Sequence, residues 1–118
     1  MDMSNPERMI ELKRVVITGV GIVSPLGIGK EPFLEALLAG RSGVRRIERF
    51  DTTGFPVKIA AEVRDFDPLA FIDKKWAKRM DRYAQYGAAA AIMALEDSGY
   101  PVDEDPYAVG ALVGSGVG

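Results

Sequence analysis

Neither cysteine nor histidine occurs among the 118 residues of this chain. Without thiols there is no disulfide framework, no thiolate nucleophile and no thiolate metal site. Without imidazole the commonest metal ligand and the usual general base near neutral pH are missing as well. Most covalent and acid–base chemistries are therefore closed to these residues acting alone. Charge of either sign is nearly balanced, with a formal net charge of −2, so nothing overall attracts nucleic acid or an anionic membrane. Long apolar runs are scarce too. The longest uncharged stretch with a helical pattern, Tyr83 to Leu95, falls well short of the roughly 20 residues needed to cross a bilayer. Met1 to Glu11 holds only Met9 and Ile10 as adjacent apolar residues and offers no signal-peptide hydrophobic region. The expected location is the cytoplasm, with residues 1–12 forming a flexible extension and no membrane or nucleic-acid partner.

The residues that are present describe a globular α/β chain: 47% are apolar and 27% charged. Val15, Val16 and Ile17, closed by Thr18 and Gly19, read as a strand buried on both faces. Gly19, Gly21, Pro25, Gly27 and Gly29 crowd the following connection. A helix then starts near Pro32, carries Phe33, Leu34, Leu37 and Leu38 as its apolar stripe, and stops at Gly40. Residues 41 to 56 lose their period and predict an irregular surface excursion. Val57, Ile59, Ala61 and Val63 alternate with Lys58, Ala60, Glu62 and Arg64, the pattern of an edge strand with one wet face. Asp67 before Pro68 is an expected helix cap, and Asp73 and Asp81 are two more. Tyr83 to Leu95 is apolar nearly all round and rich in small residues, so it demands cover on several sides. Val109 to Val113 read as a further short strand. A buried helix with few partners here, and a last residue in a glycine-rich turn, lead us to expect a piece of a larger layered protein.

Nucleotide-binding motifs fail in detail. In Gly19-Val20-Gly21-Ile22-Val23-Ser24 the third glycine of a dinucleotide fingerprint is replaced by Ser24, and no acid follows on a second strand. Gly29-Lys30 lacks the first glycine and the hydroxyl of a P-loop. These glycines read as turn residues. Asp65, Asp67, Glu96, Asp97, Asp103, Glu104 and Asp105 sit at predicted loops or helix ends, where capping and solubility explain them. Between Asp73 and Arg82, Lys74, Lys75, Lys78, Arg79 and Arg82 outnumber Asp73 and Asp81. Four of those cations share helical spacing, which suits an acidic partner held by salt-sensitive contacts. Composition alone also fits a solvated helix face. Arg41, Arg45, Arg46 and Arg49 form a second, less regular cluster with the same two explanations, and Trp76 and Tyr83 are expected to pack.

Five stretches taken together resemble one family. Val15-Val16-Ile17-Thr18-Gly19-Val20-Gly21-Ile22-Val23-Ser24-Pro25-Leu26-Gly27 is similar to the opening strand and turn of the elongating β-ketoacyl-carrier-protein synthases. Leu37-Leu38-Ala39-Gly40-Arg41-Ser42-Gly43-Val44, Arg49-Phe50-Asp51-Thr52, Arg79-Met80-Asp81-Arg82-Tyr83-Ala84-Gln85-Tyr86-Gly87 and Gly110-Ala111-Leu112-Val113-Gly114-Ser115-Gly116-Val117-Gly118 follow in that family's order. Met80-Asp81 and Val117 look more like the type II branch than type I. The resemblance implies a thiolase-like fold of five α/β layers in two duplicated halves, with residues 13–118 opening the first half, and a homodimer. It implies a decarboxylative condensation in which a cysteine at a helix N-terminus takes the acyl chain and two histidines assist carbanion formation from malonyl-carrier protein. A helix N-terminus favours the thiolate, which explains that placement. No catalytic residue and no cofactor is expected in this segment. Val117 matches a position lining the acyl pocket, and Lys75, Lys78 and Arg79 match positions that contact acyl carrier protein. A chain-length-factor-like homologue without the nucleophile and a polyketide-type ketosynthase share these early motifs and stand as alternatives.

Overall fold

The computed structural model describes residues 13–116. Residues 1–12, Val117 and Gly118 lie outside that range, and with them the expected extension and pocket position. Val15, Val16 and Ile17 are 91%, 72% and 86% exposed and belong to no sheet. The expected buried strand is thereby corrected. β-branched residues favour extended backbone, but a strand exists only where a neighbour completes its hydrogen bonds, and none lies alongside among the described residues. The same correction applies at Val109 to Val113, where only a short 3-10 turn, Pro106–Ala108, comes just before.

Beyond Ile22 an antiparallel hairpin forms from β1 (Val23–Ser24) and β2 (Gly27–Ile28), with Val23 opposite Ile28 and Ser24 opposite Gly27. Ser24 closes its turn twice: its Oγ accepts from the Leu26 N–H at 3.2 Å and donates to the Gly27 carbonyl at 3.1 Å. Helix α1 (Lys30–Leu38) follows directly, with Pro32 in its first turn and Ala36 buried. Its end lies where the sequence predicts, Gly40 taking the left-handed φ of 65° that stops helices there without a Cβ penalty.

Strand β3 (Val44–Arg46) pairs antiparallel with β4 (Ile59–Ala61), Arg45 opposite Ala60. The alternation of residues 57–63 thus yields an edge strand, although a shorter one. Its partner lies inside the stretch expected to be irregular, because Val44-Arg45-Arg46 carries no alternation and acquires strand geometry only from β4. Arg64 ties the pair together, reaching the Arg46 carbonyl at 3.0 Å and Glu48 Oε2 at 2.9 Å. Arg49 donates to the Val63 carbonyl at 2.7 Å and to Tyr86 Oη at 3.2 Å, and Arg41 pairs with Glu35 at 3.2 Å. The second basic cluster is therefore partly spent on internal contacts.

Two further helices complete the described residues, α2 (Lys74–Ala77) and α3 (Arg82–Ser98). Gly99 caps α3 in the left-handed conformation at φ 60°. Gly19 and Gly21 press their backbone onto α3. A Cβ on Gly21 would stand 1.8 Å from the Ala90 carbonyl oxygen, and one on Gly19 would stand 2.2 Å from that of Ala94. Neither has a positive φ, so their role is close approach to the small-residue face of α3 and not turn formation. Phe66, buried, meets Tyr86 of α3 edge-on at 4.9 Å and stacks on Phe71 at 6.1 Å. Ala89 alone is buried within α3, while Tyr83 and Leu95 stay about half exposed. The cover that its composition demands is thus supplied on one side.

Candidate functional site

The basic turn around α2 is built by two aspartate caps and one glutamine. Asp67 Oδ1 accepts from the Leu69 N–H at 2.9 Å, opening the 3-10 turn Pro68–Ala70. Asp73 Oδ1 then accepts from the Lys75 N–H at 2.8 Å and opens α2. Each cap satisfies a backbone donor that a helix start leaves unpaired. Asp81 occupies the position before α3 but makes no side-chain cap bond, so of the three expected caps two act through their carboxylates.

At its other end the turn is held by α3. Gln85 Nε2 donates to the Ala77 carbonyl at 2.9 Å and to the Met80 carbonyl at 3.3 Å. Its Oε1 is buried with no partner among the described residues, so this amide is committed to the two carbonyls. Ala77 points inward and is buried. Lys74, Lys75, Lys78 and Arg79 all lie exposed, and none forms an ion pair with a carboxylate among the described residues. The structure therefore brings Lys75, Lys78 and Arg79 together on one short, doubly anchored turn. Trp76 shares it at 59% exposure, against the expectation that it packs, and Tyr83 is likewise 50% exposed. Such a surface offers long-range attraction and several charge-assisted donors to carboxylates.

Sequence reading missed a second anchor. Asp97 Oδ2 accepts from the Val20 N–H at 3.0 Å while Oδ1 pairs with Lys30 Nζ. The Lys30 hydrogen bond first, and the Val20 N–H second, hold the Asp97 carboxyl below its usual range, and Lys30 is raised by the same bond. Residues 67 and 77 positions apart in the chain meet here, and no local pattern signals that. Among the described residues no group of three or more acidic side chains is placed to hold a metal ion, and no helix is long and apolar enough to cross a membrane.

Residues 12–118 match the family model described as "Beta-ketoacyl synthase, N-terminal domain". The chain is 49% identical over 110 residues to the 3-oxoacyl-[acyl-carrier-protein] synthase 2 of Coxiella burnetii, covering 92% of this chain and 27% of that protein. It is 50% identical over 107 residues to the protein of the same name from Vibrio cholerae, covering 90% and 26%. The chain thus spans about a quarter of the length of these relatives. Among solved structures, "The ishigamide ketosynthase/chain length factor" superposes with a TM-score of 0.69 at 46% identity, over 75% of this chain and 22% of that one. Its α/β arrangement is that of the thiolase-like ketosynthases, and the chain belongs to the β-ketoacyl synthase family, matching the model of its N-terminal domain.

Proposed function

We propose that this chain is the N-terminal part of a type II 3-oxoacyl-carrier-protein synthase, which lengthens fatty acids by decarboxylative condensation of an acyl-enzyme with malonyl-carrier protein. The observation that carries this reading is identity of about one half, over nine-tenths of the chain, to two bacterial proteins bearing that name. The condensation needs a thiolate nucleophile and imidazoles, and these 118 residues contain neither. Those groups belong to the remainder of a longer parent chain, and no cofactor is required.

In this reading the α2 turn docks acyl carrier protein. Lys75, Lys78 and Arg79 steer its acidic surface, and Lys74 adds to the field. Val117 borders the acyl pocket, where side-chain size limits the chain accepted. The parent works in the cytoplasm as a homodimer of five-layer α/β subunits. The deciding experiment is charge reversal of Lys75, Lys78 and Arg79 together in the full-length protein. Carrier-protein affinity at low salt should fall by at least tenfold, and the deficit should shrink as salt rises. Unchanged affinity at low salt would refute the docking role.

A second reading follows from the solved ketosynthase/chain length factor: a family member that keeps the fold without the nucleophile. Full-length sequence decides between them, since a residue other than cysteine at the nucleophile position would make the protein a non-catalytic partner.

A further inference from the structure

Trp76 is the one tryptophan of the sequence and the third residue of α2, where it stands 59% exposed. It takes no part in the aromatic pairs among the described residues, which join Phe50 to Phe55 and Phe66 to Phe71 and Tyr86. The guanidinium of Arg82 lies over Phe66 and Tyr86 instead. An indole left out of every such cluster needs another use.

Its neighbours decide whether more protein can cover it. Val15, Val16, Ile17, Leu112 and Val113 are exposed too, but each of these runs is apolar, and a packed layer can bury it at no electrostatic cost. Trp76 sits between Lys74, Lys75, Lys78 and Arg79, exposed and without carboxylate partners among the described residues. Burying four cations in an interior is costly unless each gains a carboxylate partner. In the docking reading the turn stays at the protein surface, and the indole with it. Asp73 and Gln85 fix the backbone on both sides, so a partner meeting this surface orders little.

Exposed ion pairs contribute modestly and are screened by salt, whereas a large aromatic ringed by polar residues is the usual composition of an interface hot spot. We propose that Trp76 is the apolar anchor of the docking turn, seated against an aliphatic side chain bordered by carboxylates on the carrier protein. Trp76 then ranks carriers by that aliphatic contact, while the surrounding cations set the rate of encounter. This inference rests on the docking role proposed above, and the test separates the two.

The affinity of the full-length protein for carrier protein is measured at low and high salt, for wild type, Trp76→Ala, Trp76→Phe and the triple charge reversal. Turnover with both the acyl and the malonyl group on small thioesters is followed alongside. Trp76→Ala should weaken binding roughly tenfold to thirtyfold at both salt concentrations. Trp76→Phe should retain most of the affinity, and small-thioester turnover should stay at the wild-type level. If Trp76→Ala binds within twofold of wild type while charge reversal weakens binding, Trp76 is a bystander and the docking role survives. If neither variant weakens binding, the docking role itself fails. A Trp76→Ala deficit that disappears at high salt, or that is matched by an equal loss with the small thioester, also overturns the anchor.

Discussion

Asp97 shows how one side chain secures two distant parts of the chain. Its carboxylate accepts from the Val20 N–H and from Lys30, joining the end of α3 to the segment before β1 and to the start of α1. Because Asp97 is held below its ordinary value, its contribution to stability is present above the usual carboxylate range and is lost as pH falls through the depressed value. Lys30 is raised, so its contribution is complete below the usual lysine range and fades as pH climbs through the raised value. Between about pH 5 and about pH 9 neither group titrates. In the full-length protein the difference in urea midpoint between wild type and Asp97→Asn should be flat across that window and should narrow toward pH 3. A difference that persists unchanged in acid would show that the clamp does not depend on charge.

Helices were legible in this sequence to a degree that strands were not. α1 and α3 end at Gly40 and Gly99, both visible as local breakers, and Asp67, ahead of Pro68, and Asp73 cap as expected. Residues 15–17 and 109–113 have strand composition without strand structure, since pairing is a property of two segments and only one is at hand. Val44–Arg46 is the converse, a strand created by its partner. The basic turn was legible as a cluster of cations, yet its support was not, because Gln85 reaches back across the α2–α3 connection to carbonyls that carry no side-chain signature. Replacing Gln85 by Met keeps the volume and removes both donors. It should cost about 1–3 kcal/mol in denaturant titration of the full-length protein. An unchanged midpoint would mean that water satisfies the Ala77 and Met80 carbonyls equally well.

At the scale of the molecule, the chain exposes 10209 Å², whereas a compact monomer of 12.8 kDa would expose about 6,300 Å². The buried apolar residues among those described are Ala36, Phe66, Ala77 and Ala89, three of them too small to contribute much hydrophobic stabilisation. The 118-residue polypeptide produced alone should therefore bind a dye for apolar surface and melt without a sharp transition. A monomer with a single steep melt would contradict this. One arrangement is nonetheless set firmly: main chain lies on main chain where Gly19 and Gly21 meet Ala94 and Ala90, and the same α3 grips the basic turn at its opposite end through Gln85. Main-chain contact fixes one end and the Gln85 amide the other, so the helix acts as a gauge bar of constant length between the two. The segment Asp73 to Met80 should accordingly be exchangeable between family members as a cassette, carrying its partner preference with it and requiring no repacking of the helix that holds it.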